Sequence, residues 1–144
     1  MNIIEKDILT VDDGLIVHQV NMKGVMGSGL AKQIASKFPL VYGAYKEMVD
    51  KHPVQLGDIQ IIPVTDTLSV INLFAQERYG NDGELYTDYN ALRNAFSSIR
   101  QYSDEEKKKV YIPYKIGCGL GGGDWDIVSN ILDKYLPDVI ICKK

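Results

Sequence analysis

The sequence predicts an α/β fold, a sheet of buried strands with helices on both faces. Two observations carry this. Apolar runs rich in β-branched residues alternate along the chain with segments of helical spacing. Those runs also lack the strict polar alternation of a strand with one wet face, so both faces of the sheet are covered. At 144 residues the length fits one domain, residues 1–144.

In chain order, an edge strand is expected around Ile3 to Leu9, followed by a buried strand "GLIVHQV" at 14–20. Ala31, Ile34, Ala35 and Phe38 give the first helical stripe. Val41, Ala44, Tyr45 and Met48 give the second, with Pro39 suited to its first turn. "DIQIIPV" (58–64) and "LSVINLF" (68–74) are strands. A third helix carries Leu92, Ala95, Phe96 and Ile99, with Thr87 or Asp88 as its cap. "DEEKKK" (104–109) is a solvated helix end or loop. Strand "VYIPY" (110–114) follows. Asp124 is placed to cap a fourth helix bearing Val128, Ile131, Leu132 and Tyr135, and "DVIIC" (138–142) closes the sheet.

Composition narrows the function. Hydrophobic residues make up 45% and charged residues 24%, the profile of an ordinary globular chain. No apolar run is long enough to span a membrane. The N-terminus lacks the basic-then-apolar order of a secretion signal, so a reduced, cytoplasmic setting is expected. Cys118 and Cys142 are too few for a disulfide framework or a zinc site, and no metal or cofactor is expected. A net charge of −3 argues against a general nucleic-acid binder. It leaves open a small anion held by backbone groups.

Two loops suit such an anion. "GVMGSGLAKQI" (24–34) leads from a strand into a helix, and "KIGCGLGGGDW" (115–125) does the same later. Glycine lets the backbone approach a ligand, and the amides at a helix start are unpaired and partly positive. Either loop could instead be a plain turn. Two of the same design could grip a diphosphate from both sides. Neither matches the P-loop spacing, nor the G-x-G-x-x-G fingerprint of dinucleotide enzymes.

"KDIL" (6–9), "IVHQVNMKGVMGSGLAKQI" (16–34), "NLFAQ" (72–76) and "IPYKIGCGLGGGDW" (112–125) together resemble the macrodomain family, over nearly the whole chain. The layout of residues 18–31 is similar to the branch holding ADP-ribose-1''-phosphate phosphatases and terminal ADP-ribose hydrolases. The resemblance implies a three-layer α/β/α sandwich with a mixed, largely parallel sheet, and a site for ADP-ribose or a derivative. It implies that Asp7 takes the adenine amino group with the Ile8 amide nearby, and that Asn21 lies near the distal ribose. Met26, Gly27, Ser28, Gly29, Leu30 and Ala31 would carry diphosphate and ribose. Ile116, Gly117, Cys118, Gly119, Leu120 and Gly121 would wrap the diphosphate from the other side, with Gln76 at the end of the fourth strand.

Family hydrolases use a lysine after the fourth strand and an aspartate after Cys-Gly-Leu. Those places read Gln76 and Gly121 here, which can form no lysine adduct and move no proton. His18 has two readings: acid, base or phosphate contact in the pocket, or a core histidine bonded to backbone. Asp124 is a helix cap or the orienter of a water. Cys118 reads as structural, Lys32 and Lys115 as surface charges, and Trp125 and Tyr114 as packing groups. "ERYGNDGELYTDY" (77–89) is a candidate lid in which Arg78 could meet a terminal phosphate or stay at the surface. The expected function is binding of ADP-ribose, with hydrolysis of ADP-ribose-1''-phosphate by His18 and Asp124. The alternatives are a non-catalytic reader, or a hydrolase of ADP-ribosylated macromolecules with a rearranged site.

Overall fold

The computed structural model describes residues 1–144. Its elements are β1 (Asn2–Glu5), a 3₁₀ turn (Ile8–Thr10), β2 (Gly14–Val20), α1 (Gly29–Lys37), α2 (Pro39–Lys51), β3 (Ile59–Pro63), β4 (Leu68–Phe74), α3 (Tyr89–Glu106), β5 (Val110–Pro113), α4 (Trp125–Tyr135) and β6 (Ile140–Lys143). The six strands form one sheet in the order β1-β6-β5-β2-β4-β3. Every neighbouring pair is parallel except β3–β4, so the sheet is mixed and largely parallel.

Alternation along β2 builds the three layers. Ile16 and Val20 face α1 and α2, packing with Ile34, Val41, Tyr45, Val70 and Phe74. Leu15 and Val17 face α3 and α4, packing with Leu73, Leu92, Phe96, Ile99, Val128 and Leu132. Both sets are buried, which is why the strand reads as a continuous apolar run. Gly14 starts β2 at φ +109°, where a Cβ would stand 2.7 Å from the Lys109 carbonyl oxygen. Only glycine allows that approach.

The strands expected at 58–64, 110–114 and 138–142 are Ile59–Pro63, Val110–Pro113 and Ile140–Lys143, and two further boundaries differ for a visible reason. The first strand ends at Glu5 rather than running to Leu9. Asp7 accepts a hydrogen bond from the Leu9 amide at 3.0 Å, and this local bond curls the chain into the 3₁₀ turn. Phe38 lies between α1 and α2 rather than inside α1, because Pro39 opens the new helix and biases the residue before it away from helical geometry. The charged run ends α3, with Lys107 in the left-handed region at φ 55°. No helix is long and apolar enough to cross a membrane.

Parallel pairing of β2, β4 and β5 brings their carboxyl ends to one edge of the sheet. The β2–α1 loop, the segment after β4 and the β5–α4 loop therefore meet there, where open α/β sheets collect ligands.

Candidate ligand cleft

A cavity of about 460 Å³ opens at that edge. Its wall holds His18, Asn21, Met26, Gly27, Ser28, Gly29, Leu30, Ala31, Gln76, Ile116, Gly117, Gly119, Leu120 and Gly121 from the expected set. Asp7, Ile8, Cys118 and Asp124 are not in the wall. Gln19, Val25, Tyr79, Gly80, Tyr114 and Lys115 line it although sequence reasoning did not place them there. No aspartate or glutamate lines it, and Lys115 is its one formally charged side chain, although the chain carries 19 acidic residues.

The first half of the β2–α1 loop is built from below by Tyr45. Its buried hydroxyl lies 2.7 Å from the Asn21 carbonyl oxygen and 2.8 Å from Asn21 Oδ1, and accepts from the Gly24 and Val25 amides. Burial pushes the Tyr45 phenol up to about 12, so it stays neutral. Asn21 folds the same segment: Nδ2 donates to the Val25 carbonyl at 2.8 Å and Oδ1 accepts from the Lys23 amide at 2.9 Å. Both side-chain atoms of Asn21 are thus committed within the protein.

The second half is different. The Ser28 side chain does not cap α1, and the first amide bonded there is Lys32, to the Ser28 carbonyl. The amides of Gly27, Ser28, Gly29, Leu30 and Ala31 find no acceptor in the chain. They form a run of donors at the positive end of a helix dipole, beside a cavity free of carboxylates.

The β5–α4 loop is held by its neighbour. The Tyr86 and Thr87 amides donate to the Gly121 carbonyl at 2.8 and 3.0 Å, and Thr87 Oγ1 donates to the Gly117 carbonyl at 2.7 Å. The Cys118, Gly122 and Gly123 amides bond within the loop. The Gly117, Gly119, Leu120 and Gly121 amides remain without an acceptor.

His18 is buried on the α1–α2 face and its Nε2 lies 2.6 Å from Asn72 Oδ1. A directed chain sets its tautomer. Gln60 Nε2 donates to the Ala44 carbonyl, so Gln60 Oε1 accepts from Asn72 Nδ2 at 3.0 Å. Asn72 Oδ1 must then accept from His18 Nε2–H, which leaves Nδ1 as a bare lone pair with no partner. Burial lowers the His18 pKa to about 4, against the smaller raising effect of the Asn72 bond. At neutral pH His18 is therefore neutral, with its Nε2–H held by Asn72 and its Nδ1 lone pair able to accept a hydrogen bond but only weakly basic.

Other expected candidates have structural partners. Asp124 caps α4, accepting from the Asp126 amide at 2.8 Å, and its own amide donates to the Tyr89 hydroxyl. Of its two readings Asp124 shows the helix cap: its carboxylate serves the helix start, and it lies off the cavity wall. Burial raises the Cys118 thiol to about 11, leaving it protonated and inert. Asp7 pairs with Lys144 at 3.1 Å, and the Leu9 amide and Lys144 hold its carboxyl below the usual range. Arg78 does not reach the cavity. It pairs with Glu84 at 3.1 Å and stacks on Tyr86, whose hydroxyl donates to Asp82 at 2.7 Å. Segment 77–87 is thus cross-braced onto itself. Tyr114 meets Trp125 edge-on at 5.2 Å, as a packing group. Lys115 is exposed, as expected of a surface charge, and it also borders the cavity, with a left-handed backbone (φ 59°). No group of three His, Cys, Asp or Glu residues is gathered to hold a metal ion.

Comparison with known proteins supports what the geometry suggests. The Macro domain family matches residues 17–132. An uncharacterized 17.5 kDa protein of the tk–vs intergenic region of Enterobacteria phage T4 is 32% identical over 126 residues, covering 83% of this chain and 78% of that protein. A DNA ADP-ribosyl transferase–DNA ADP-ribosyl glycohydrolase fusion protein of Thermosipho africanus is 25% identical over 98% of this chain, which spans 40% of that protein's length. A solved structure of a protein of unknown function from Bacteroides thetaiotaomicron aligns with TM-score 0.90 at 25% identity, over 99% of this chain and 97% of that one. With its family match running from β2 into α4 and a mixed six-stranded sheet between two helical layers, this chain belongs to the Macro domain family.

Proposed function

We propose that this chain binds ADP-ribose, or an ADP-ribosyl group carried by a macromolecule, with the diphosphate between the β2–α1 and β5–α4 loops. One observation supports this most: the five consecutive amides from Gly27 to Ala31 lack acceptors and border a cavity without a carboxylate. Two phosphate oxygens can satisfy several of these donors at once, and water is the alternative partner they give up. The name of the Thermosipho relative concerns ADP-ribosyl groups, which agrees with this ligand class. Titration calorimetry with ADP-ribose and with adenosine tests it. ADP-ribose should bind with micromolar affinity, and adenosine, lacking the diphosphate, at least about a hundredfold more weakly. Equal affinities would refute the reading.

The lysine-dependent hydrolysis that the family resemblance implies has no nucleophile here, since Gln76 and Gly121 occupy those positions. A second reading is hydrolysis of the terminal phosphate of ADP-ribose-1''-phosphate, and the bare Nδ1 of His18 favours it. Water oriented by the Nδ1 lone pair would attack phosphorus, and the bond from phosphorus to the ribose 1''-oxygen would break. The water's proton would pass to that leaving oxygen to give ADP-ribose and inorganic phosphate, and loop amides would hold the developing charge. Phosphate release by wild type, lost in His18→Gln, supports that reaction. Release no faster than a buffer blank leaves a reader of ADP-ribosyl groups.

A further inference from the structure

Gln19 and Gln76 are the two glutamines of the cavity wall, the proposed chemistry uses neither, and they touch. Gln19 Nε2 donates to Gln76 Oε1 at 2.6 Å and to Thr87 Oγ1 at 2.9 Å. Thr87 Oγ1 in turn donates to the Gly117 carbonyl at 2.7 Å. Gln76 Nε2 donates to the Arg78 carbonyl at 2.9 Å, which settles that its Oε1 faces Gln19. A residue pairing between Gln76 and Thr87 adds backbone support. The three side chains form a directed bracket from β2, across the end of β4, to the β5–α4 loop.

The orientation of Gln19 has a cost that shows the bracket is specified. Oε1 is buried without a partner, one of two such side-chain atoms in the molecule. Turning the amide over would set Oε1 against Gln76 Oε1 and against Thr87 Oγ1, whose proton already goes to the Gly117 carbonyl, so acceptors would face acceptors. The chain keeps the donor on Gln76 and Thr87 and leaves the oxygen bare. The loop is shaped to the bracket as well: a Cβ on Gly117 would lie 2.9 Å from Gln19 Oε1, and one on Gly121 would lie 3.1 Å from Gln19 Nε2. These glycines let the loop sit directly on the carboxamide.

We infer that Gln19 and Gln76 are positioning residues that fix the free Gly117, Gly119, Leu120 and Gly121 amides for the ligand. The inference rests on the cleft being the ADP-ribose site, and it gives Gln76 a role of its own. The position is occupied by a structural brace rather than by a vacated nucleophile. A lysine there cannot accept from Gln19, so restoring the family residue breaks the loop's support.

Hydrogen–deuterium exchange, read alongside ADP-ribose calorimetry, tests this with Gln19→Leu, Gln76→Lys and Gln76→Glu. Gln19→Leu and Gln76→Lys should speed exchange in residues 115–123 roughly tenfold while leaving 21–31 unchanged. Their ADP-ribose affinity should fall on the order of tenfold. Gln76→Glu keeps the acceptor toward Gln19 but loses the donor to the Arg78 carbonyl, so exchange should rise clearly less than in Gln76→Lys, a partial rescue that mere loss of side-chain volume would not produce. Unchanged exchange in Gln19→Leu and Gln76→Lys would overturn the bracket. Faster exchange with undiminished affinity would overturn its role in binding. Failure of wild type to bind ADP-ribose would sink the cleft assignment, and the exchange rates alone would then decide whether the bracket exists.

Discussion

The two glycine-rich loops resemble each other as strings of letters and differ in what their glycines face. In the first, a Cβ on Gly29 would meet nothing within 4 Å, and one on Gly27 only the Val25 side chain at 3.5 Å. In the second, a Cβ on Gly121 would stand 2.6 Å from Thr87 Oγ1, and one on Gly123 would stand 2.7 Å from the Gly117 carbonyl oxygen. Gly119 alone in that loop faces open space. The first loop is bare toward the cavity. The second is bare mainly toward the protein, because segment 84–87 and Gln19 pack against it. Glycine density thus has two causes, and only an open, unbonded backbone points to a ligand.

The sharpest break of this comparison is Gly122→Ala. Gly122 sits at φ +73°, and a Cβ there runs into the Glu84 carbonyl, with Leu85 Cα at 3.2 Å. The substitution should cost about 3–5 kcal/mol of stability, read from urea midpoints. A loss under about 1 kcal/mol would show that the second loop is as open as the first.

His18 beneath the cleft gives the next largest effect, through pH. Its pKa is about 4 folded against an ordinary 6.5. Between those values the unfolded chain binds a proton that the folded chain refuses, so stability rises with pH across this window. The contribution is complete above pH 6.5 and is lost as pH falls toward 4, by about 3 kcal/mol in all. Urea midpoints at pH 7 and 4.5 should therefore separate more for wild type than for His18→Gln. Equal separations would mean that the imidazole is not held neutral by burial.

Gly27→Ala probes the open loop. Its backbone is not left-handed and nothing but Val25 lies near, so stability should change by less than about 0.5 kcal/mol. The new methyl stands where a ligand would press, and ADP-ribose affinity should fall about tenfold by calorimetry. A reversed pattern, lost stability with full affinity, would exchange the roles of the two loops. Arg78→Ala should do least. Its pair with Glu84 is more than half exposed on both sides and lies off the cavity wall. The urea midpoint and the ADP-ribose affinity should both stay at their wild-type values, and a clear drop in either would give the pair a role in the cleft.

Much of the site was legible because its signals are local. Gly27 to Ala31 follow a strand and start a helix, and that order alone places unpaired amides at a strand's carboxyl end. Asp124 as a helix cap is equally local, set by an amide two residues away. Gln19 was not legible. Its partners Gln76 and Thr87 lie 57 and 68 positions along the chain, and nothing in "VHQVN" indicates them. The tautomer of His18 likewise depends on Asn72, Gln60 and the Ala44 carbonyl, which only the β2–β4–β3 register and α2 bring together.

By itself the sequence determined the elements, the two covered faces of the sheet and the location of the two glycine-rich loops, since periodicity, caps and glycine act over a few residues. The tertiary structure decided the strand order, which glycines are open and which are packed, the charge state of His18 and the brace at Gln76. Those depend on burial and on hydrogen bonds between distant segments, and such energies exist only once the chain has closed on itself.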